Sequence, residues 1–150
     1  MSDSQRPCVL VVDDDPLIRS SCSERLASQG LAVEVASDGF EAVQLAQLVR
    51  FDLILLDVRM PHRSGSDVLR LLRAAPRTAQ TKVYLLAQAG DSALVDAAMR
   101  EGADGVFEKD TQSTLEIAVD VATLLGVSSV VAPSVADASQ RESAIDQLTK

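Results

Sequence analysis

The fold of this chain is decided by the stretch CVLVVDDDP, residues 8–16. Five apolar residues in a row are typical of a strand that is covered on both faces of a parallel sheet. The pair Asp15-Pro16 then predicts a helix start, because the aspartate can cap the helix and the missing proline N–H would be unpaired there anyway. The segment therefore predicts a buried strand, an acidic turn and a helix.

Four further strand-like runs alternate with helix-like stretches along the chain. The second run of the five alternates in polarity like an edge strand, whereas the third and fourth are unbroken apolar segments like central strands. Such alternation predicts an α/β fold, with a parallel sheet and helices on both of its faces. The four runs are 32–36, 53–56, 83–86 and 105–107.

Amphipathic helices are predicted between these runs, from apolar residues at helical spacing. The first two stripes are Ala42, Leu45, Ala46 and Val49, and Val68, Leu71, Leu72 and Ala75. Gly30 and Gly102 suit helix C-terminal caps, and Asp38-Gly39 suits a turn into a helix.

The last predicted helix, roughly residues 111–125, has apolar residues on two sides. One face, expected to pack on the sheet, is made of Leu115, Ala118, Val119 and Ala122. A second stripe contains Ile117, Val121 and Leu124, which is more than packing on one sheet requires. An exposed surface for a homodimer or another partner is one explanation, and partial cover by the C-terminal tail is the alternative.

Length and composition predict one folded domain. The chain has 150 residues, 47% of them hydrophobic, and a net charge of −8, which disfavours direct contact with nucleic acid or anionic membranes. No long apolar run marks a leader or a membrane span, so a cytoplasmic location is expected. The expected divisions are an N-terminal extension 1–6, a domain 7–125, and a linker and tail 126–150 that could be partly helical.

Charged residues follow three of the predicted strands. Asp13 and Asp14 end the first, Asp57 ends the third and Lys109 follows the fifth. Because ligands bind beyond the carboxyl ends of parallel strands, these residues are expected to converge. Each alone has an ordinary explanation as a helix cap, loop acid or surface lysine. Together, three carboxylates need a cation, an oxygen-only set suits Mg²⁺, and the lysine suits an anion such as phosphate.

Three segments resemble the receiver domains of bacterial two-component response regulators, the chemotaxis regulators among them. They are LVVDDDP at 10–16, LLDVRMP at 55–61 with Gly65 after it, and GVFEK at 105–109. The resemblance implies a flavodoxin-like sheet in the order 2-1-3-4-5 with five helices.

The resemblance also implies a phosphorelay reaction. Asp57 would take a phosphoryl group from a phosphohistidine on a sensor histidine kinase or phosphotransfer protein and become an aspartyl phosphate. Asp14, Asp57 and the backbone carbonyl of Arg59 would bind Mg²⁺, Asp13 would reach it through water, and Lys109 would pair with a phosphoryl oxygen. The domain would signal to a downstream protein or an output domain, and would catalyse at most its own phosphorylation and dephosphorylation.

Two switch positions depart from the family pattern. Ala87 stands 30 residues after Asp57, where receivers usually carry Ser or Thr, and Val106 matches the usual aromatic residue, with Phe107 adjacent. The missing hydroxyl removes one charge-assisted hydrogen bond, worth about 1.5 to 3 kcal/mol. We therefore expect the site chemistry to be retained and its coupling to the surface to be weak. Asp110 also follows Lys109 where proline is common.

Three alternatives compete with a phosphoacceptor. A pseudo-receiver would bind a partner whether or not Asp57 is modified. A Mg²⁺-dependent phosphohydrolase would usually carry a second acid two residues after the nucleophile, where this chain has Arg59. A flavin-binding flavodoxin would need a phosphate loop after the first strand, where this chain has acids.

Overall fold

A computed structural model describes residues 6–127 of the chain. Five strands and five helices alternate strictly. The strands are β1 (Cys8–Val12), β2 (Ala32–Ala36), β3 (Leu53–Asp57), β4 (Lys82–Ala87) and β5 (Gly105–Glu108). The helices are α1 (Pro16–Ser28), α2 (Gly39–Leu48), α3 (Gly65–Ala74), α4 (Ser92–Arg100) and α5 (Thr114–Leu124).

The strands form one parallel sheet in the order β2-β1-β3-β4-β5. This confirms the predicted fold class and places β2 at an edge, as its alternating sequence predicted. β1 and β3 are neighbours although the chain visits β2 between them. Strand order therefore reverses at β1 and β3, which is where an open α/β sheet forms its ligand crevice.

Two apolar layers cover the sheet. One packs α2, α3 and α4 against alternate strand residues such as Leu10 and Ile54. The other packs α1 and α5 against the opposite set, which includes Val9 and Leu55. The central strands are buried on both faces, which explains why their sequences are continuously apolar.

Several predicted helix ends are confirmed. Asp15 caps α1, its Oδ1 accepting the Leu17 N–H at 2.9 Å, and Pro16 is the first residue of that helix. Gly30 and Gly102 follow α1 and α4 with φ of +89° and +106°. These values are left-handed and favour glycine. Asp38 caps α2.

The predicted partner surface on the last helix is wrong at two of its three residues, because these two are buried. Ile117 and Val121 are 2% and 0% exposed, and they pack with Cys22 and Leu26 of α1. Of the predicted partner surface only Leu124 is exposed, at 42%. Because α5 packs against α1 as well as against the sheet, more of its surface is covered than the sheet alone would cover. The additional covered surface includes Ile117 and Val121.

Two smaller differences concern the helix boundaries and one stripe. α5 begins at Thr114 rather than near residue 111, because Ser113 and Glu116 form a capping box with hydrogen bonds of 2.8 and 3.1 Å. In α3, Val68 and Leu72 of the predicted stripe are buried, but Leu71 is 41% exposed and Leu69 is buried in its place.

The predicted domain boundaries stay a prediction. Only Arg6 of the predicted extension 1–6 belongs to the described residues, and the predicted tail lies outside them from residue 128 onward. None of the helices formed by residues 6–127 is long and apolar enough to cross a membrane.

Candidate functional site

Three aspartates meet at the carboxyl edge of the sheet, beside the reversal of strand order. Asp13 follows β1, Asp57 ends β3, and Asp14 lies next to Asp13 in the turn before α1. One carboxylate oxygen from each residue lies within 4.8 Å of the others. Asp13 and Asp57 are buried and Asp14 is exposed, so the group has a closed base and an open side.

Lys109, just after β5, provides the cation of this site. Its Nζ lies 3.0 Å from Oδ2 of Asp13 and 3.6 Å from Oδ1 of Asp57. Its backbone N–H donates to the Ala87 carbonyl at 2.8 Å, which continues the β4–β5 ladder by one residue. The structure thus brings Asp13, Asp14, Asp57 and Lys109 together at one edge of the sheet.

The buried carboxylates are held by backbone donors as well as by the lysine. Oδ1 of Asp13 accepts the Asp15 N–H at 3.0 Å, and Oδ1 of Asp57 accepts the Arg59 N–H at 3.2 Å. The Arg19 guanidinium donates to the Asp13 backbone carbonyl at 2.7 Å. These bonds fix the direction of both carboxylates before any ligand binds.

Two opposing influences act on the pKa of Asp57. Burial and the neighbouring Asp13 carboxylate disfavour its charged form, while Lys109 and the Arg59 N–H favour it; the outcome is a pKa raised to about 7. For Lys109, burial lowers the pKa, but the two carboxylates outweigh burial and raise it. The site thus holds an acid that resists ionisation next to a firmly charged lysine.

A cleft of about 480 Å³ opens onto these residues. Its walls include Asp15, Met60, Pro61 and Gln88 besides the charged residues. Arg59 also lines it, and its guanidinium pairs with Asp91 at 2.8 Å. The cleft is wide enough for a small anion and a hydrated cation.

The donor set suits the predicted metal. The three carboxylates are oxygen ligands, and Mg²⁺ binds through a few carboxylates while keeping water. Burial and, after it, the neighbouring Asp13 carboxylate raise the pKa of Asp57 although Lys109 lowers it, so further positive charge at the site would favour the ionised carboxylate. The residues present therefore fit Mg²⁺.

The switch positions lie on two neighbouring strands, Ala87 at the end of β4 and Val106 within β5. Ala87 is 2% exposed at the carboxyl end of β4 and offers no side-chain donor. Val106 is 39% exposed, whereas Phe107 turns inward and stacks on Tyr84 with ring centroids 5.4 Å apart. The aromatic residue beside the switch position is thus part of the core layer under α1 and α5.

Two acids near the site have partners that the sequence does not predict. Asp91 is 3% exposed and pairs with Arg59, and Asp110 accepts the Ala89 N–H at 2.5 Å. Asp91 precedes α4, so its sequence position suggests an ordinary cap, yet its side chain makes no cap hydrogen bond to that helix. The chain carries no signal for these pairings, because both depend on the conformation of loops.

The fold and this site together define an open α/β protein with a carboxylate and lysine centre at its topological switch point. The family model described as response regulator receiver domain matches residues 9–120. The chain belongs to the family of response regulator receiver domains, which are signalling domains of two-component systems.

Known relatives agree with that assignment. The chain is 34% identical over 107 residues to the DNA-binding response regulator MtrA of Mycolicibacterium smegmatis, an alignment that covers 71% of this chain and 46% of MtrA. The chain therefore spans about half the length of that relative.

Solved structures show the same fold at full domain length. The chemotaxis protein CheY4 of Vibrio cholerae superposes with a TM-score of 0.70 at 31% identity, covering 82% of this chain and 99% of CheY4. The receiver domain of a Pseudomonas aeruginosa sensor histidine kinase gives 0.71 at 25% identity, covering 81% and 98%. That neighbour has a magnesium ion coordinated in its active-site cleft.

Proposed function

We propose that this chain accepts a phosphoryl group on Asp57 in a Mg²⁺-dependent reaction. The donor would be a phosphohistidine on a sensor histidine kinase or a phosphotransfer protein. The single observation that carries the proposal is the geometry around Asp57. This buried carboxylate ends β3 with the Lys109 ammonium 3.6 Å away and the Asp13 and Asp14 carboxylates within 4.8 Å.

Asp57 has the position of a nucleophile. One carboxylate oxygen attacks phosphorus, the new P–O bond forms as the P–N bond to the donor imidazole breaks, and the imidazole nitrogen keeps the electron pair. The attacking form is the ionised carboxylate. Since burial raises the pKa of Asp57 to about 7, the positive charges around it must favour that form.

Asp13, Asp14 and Asp57 would hold the metal, together with the Arg59 carbonyl. When bound, Mg²⁺ supplies neutralisation of the negative charge that carboxylates and phosphoryl oxygens bring together. Without that charge the acidic cleft repels an anionic donor. Metal dependence therefore follows from the three acids of the site.

Lys109 is proposed to bind a phosphoryl oxygen. Asp13 holds its ammonium at 3.0 Å, and the backbone bond to Ala87 holds its main chain. A lysine that is held at both its ammonium group and its main chain can place a positive charge beside the equatorial oxygens of the phosphoryl group, where negative charge is spread during transfer. Such positioning is most of what phosphoryl transfer needs.

The test is phosphorylation by acetyl phosphate, read as intact mass. We expect wild type to gain one phosphoryl group with Mg²⁺ and none with EDTA. Asp57→Asn keeps the shape of the residue, removes the nucleophile and should gain nothing. Asp15→Asn is the matched control, since this exposed acid lines the same cleft and asparagine also caps helices. Full labelling of Asp57→Asn would refute the assignment.

The downstream role is part of the same proposal. A receiver signals through protein contacts, so the partner would be a separate protein or an output domain of the same polypeptide. A cytoplasmic location is also proposed, because the kinase donor draws its phosphoryl group from ATP. The net charge of −8 argues against direct nucleic-acid binding by this domain.

A second candidate is a receiver whose partner binding ignores phosphorylation. Ala87 favours it, because the buried end of β4 has no hydroxyl that a phosphoryl oxygen could attract. A ligand biases two conformations only by interacting differently with them. Partner affinity measured with and without beryllofluoride and Mg²⁺ separates the two candidates, since only a switching receiver changes affinity.

A further inference from the structure

The loop that joins β4 to α4, residues 88–91, is tied to both neighbouring loops. On one side the Arg59 guanidinium donates from Nε to Oδ1 of Asp91 at 2.9 Å, and its terminal nitrogen lies 2.8 Å from the same oxygen as an ion pair. On the other side Asp110 accepts the Ala89 N–H at 2.5 Å. The loop after β3 and the loop after β5 therefore hold it from opposite directions.

Asp91 also closes the loop on itself. Its Oδ2 accepts the Gln88 N–H at 2.9 Å, and its own N–H donates to the Gln88 carbonyl at 3.1 Å. Gly90 allows this tight path with φ of +92°, a left-handed value that other residues rarely adopt. One carboxylate thus organises the loop and binds the arginine.

The Arg59–Asp91 pair differs from an ordinary surface ion pair. The Arg59 side chain is 65% exposed, but the Asp91 side chain is only 4% exposed, and a buried carboxylate left without its partner is unfavourable. By contrast, the Arg70–Glu101 pair between α3 and the end of α4 has side chains 59% and 33% exposed. Such exposed pairs contribute little.

The β4–α4 loop lies between the cleft at Asp57 and a groove on the protein surface. Gln88 lines the cleft of the phosphoacceptor on one side. On the other side, the same loop forms one wall of a groove of about 170 Å³ that Val95 of α4 and Val106 of β5 also line. The place of the loop therefore decides the shape of the groove between α4 and β5.

We propose that Arg59 and Asp91 form a latch that fixes the β4–α4 loop and sets the shape of the α4–β5 groove without a phosphoryl group on Asp57. Arg59 is a positioning residue in this device. The latch is closed in the unmodified protein.

The test uses the full chain in EDTA with no phosphodonor, so its result does not depend on the proposed phosphorylation of Asp57. Amide hydrogen exchange is followed by NMR in wild type, Arg59→Gln, Asp91→Asn and Arg70→Gln. We expect the Gln88 and Ala89 amides to exchange about tenfold faster in the first two variants, a change that corresponds to loss of local stability. The Val95 and Val106 amide signals should shift in the same two variants.

Arg70→Gln is the matched control, because it breaks an exposed pair between α3 and the residue that follows α4, away from the β4–α4 loop, and should leave both readouts at wild-type values. Unchanged exchange at Gln88 and Ala89 in Arg59→Gln and Asp91→Asn would overturn the latch. Faster exchange with unmoved Val95 and Val106 signals would overturn its effect on the groove.

Discussion

Lys109 and Asp13 are ion-paired across the carboxyl edge of the sheet, with Nζ 3.0 Å from Oδ2, although 96 residues separate them in the chain. Both side chains are largely buried, at 13% and 1% exposed. The two residues meet because, in a parallel sheet, the residues that follow the strands all lie at the same edge. It places a fixed positive charge beside Asp57.

Removal of that charge is expected to destabilise the metal-free protein. Lys109→Met keeps most of the side-chain volume but leaves Asp13 and Asp57 facing each other without a cation. We expect the free energy of unfolding at pH 8 to fall by about 3 kcal/mol. The loss should be smaller at pH 5, where a proton on one carboxyl replaces the cation. Urea unfolding at both pH values measures it.

Lys82→Met is the control for this variant, since Lys82 is exposed at the start of β4, on the opposite edge of the sheet. Its unfolding free energy should stay within about 0.5 kcal/mol of wild type. Equal losses in the two variants would mean that the Lys109 pair has no special role.

The raised pKa of Asp57 predicts a particular dependence of stability on pH in EDTA. The pKa is about 7 in the fold, against an ordinary value of 3.8. Between these values the native state binds a proton that the unfolded chain has released. The unfolding free energy therefore falls as pH rises, by up to about 1.4 kcal/mol per pH unit from this group, and levels off above pH 7.

Asp57→Asn should remove this dependence, because asparagine does not titrate. We expect the variant to be more stable than wild type at pH 8 and much closer to it at pH 4, by urea unfolding in EDTA. Parallel pH curves for the two proteins would contradict a raised pKa at Asp57.

Magnesium should stabilise the fold through the three acids. A ligand that binds only the native state raises the free energy of unfolding as its concentration exceeds the dissociation constant. Asp14→Ala is expected to stabilise the metal-free fold slightly, by relief of repulsion, and to lose the added stability conferred by millimolar Mg²⁺. Thermal unfolding over a Mg²⁺ titration tests both effects, with Asp15→Asn as a responsive control. A wild-type melting temperature that does not change over the Mg²⁺ titration would rule out the magnesium site.

The burial of Ile117 in α5 can be tested by comparing it with the exposed Leu124 of the same helix. Ile117 is 2% exposed and Leu124 is 42% exposed. We expect Ile117→Ala to lower the unfolding free energy by about 2 to 5 kcal/mol, because it leaves a cavity under the sheet. Leu124→Ala should change it by at most about 0.5 kcal/mol. Similar losses at the two positions would contradict the burial of Ile117.

The features that were predictable from sequence rest on backbone periodicity. β1 and β3 are buried on both faces, so their sequences are continuously apolar and recognisable. Parallel topology then places Asp13, Asp57 and Lys109 on one edge without any knowledge of side-chain contacts. The convergence of these charges follows from strand direction alone.

The features that were not predictable depend on tertiary packing. α5 has apolar residues on two sides, and only the position of α1 decides that Ile117 and Val121 are covered. Asp91 reaches Arg59 across 32 residues because two loops adopt particular conformations. No periodic pattern encodes either relationship.

Chemical trapping of the modified residue shows whether Asp57 alone receives the phosphoryl group. Protein treated with acetyl phosphate and Mg²⁺ is reduced with borohydride, which converts an aspartyl phosphate to homoserine, and its peptides are identified by mass spectrometry. We expect conversion at Asp57 in the peptide from β3, and unmodified aspartate at positions 13, 14 and 15. Conversion at any of these three with intact Asp57 would contradict the account.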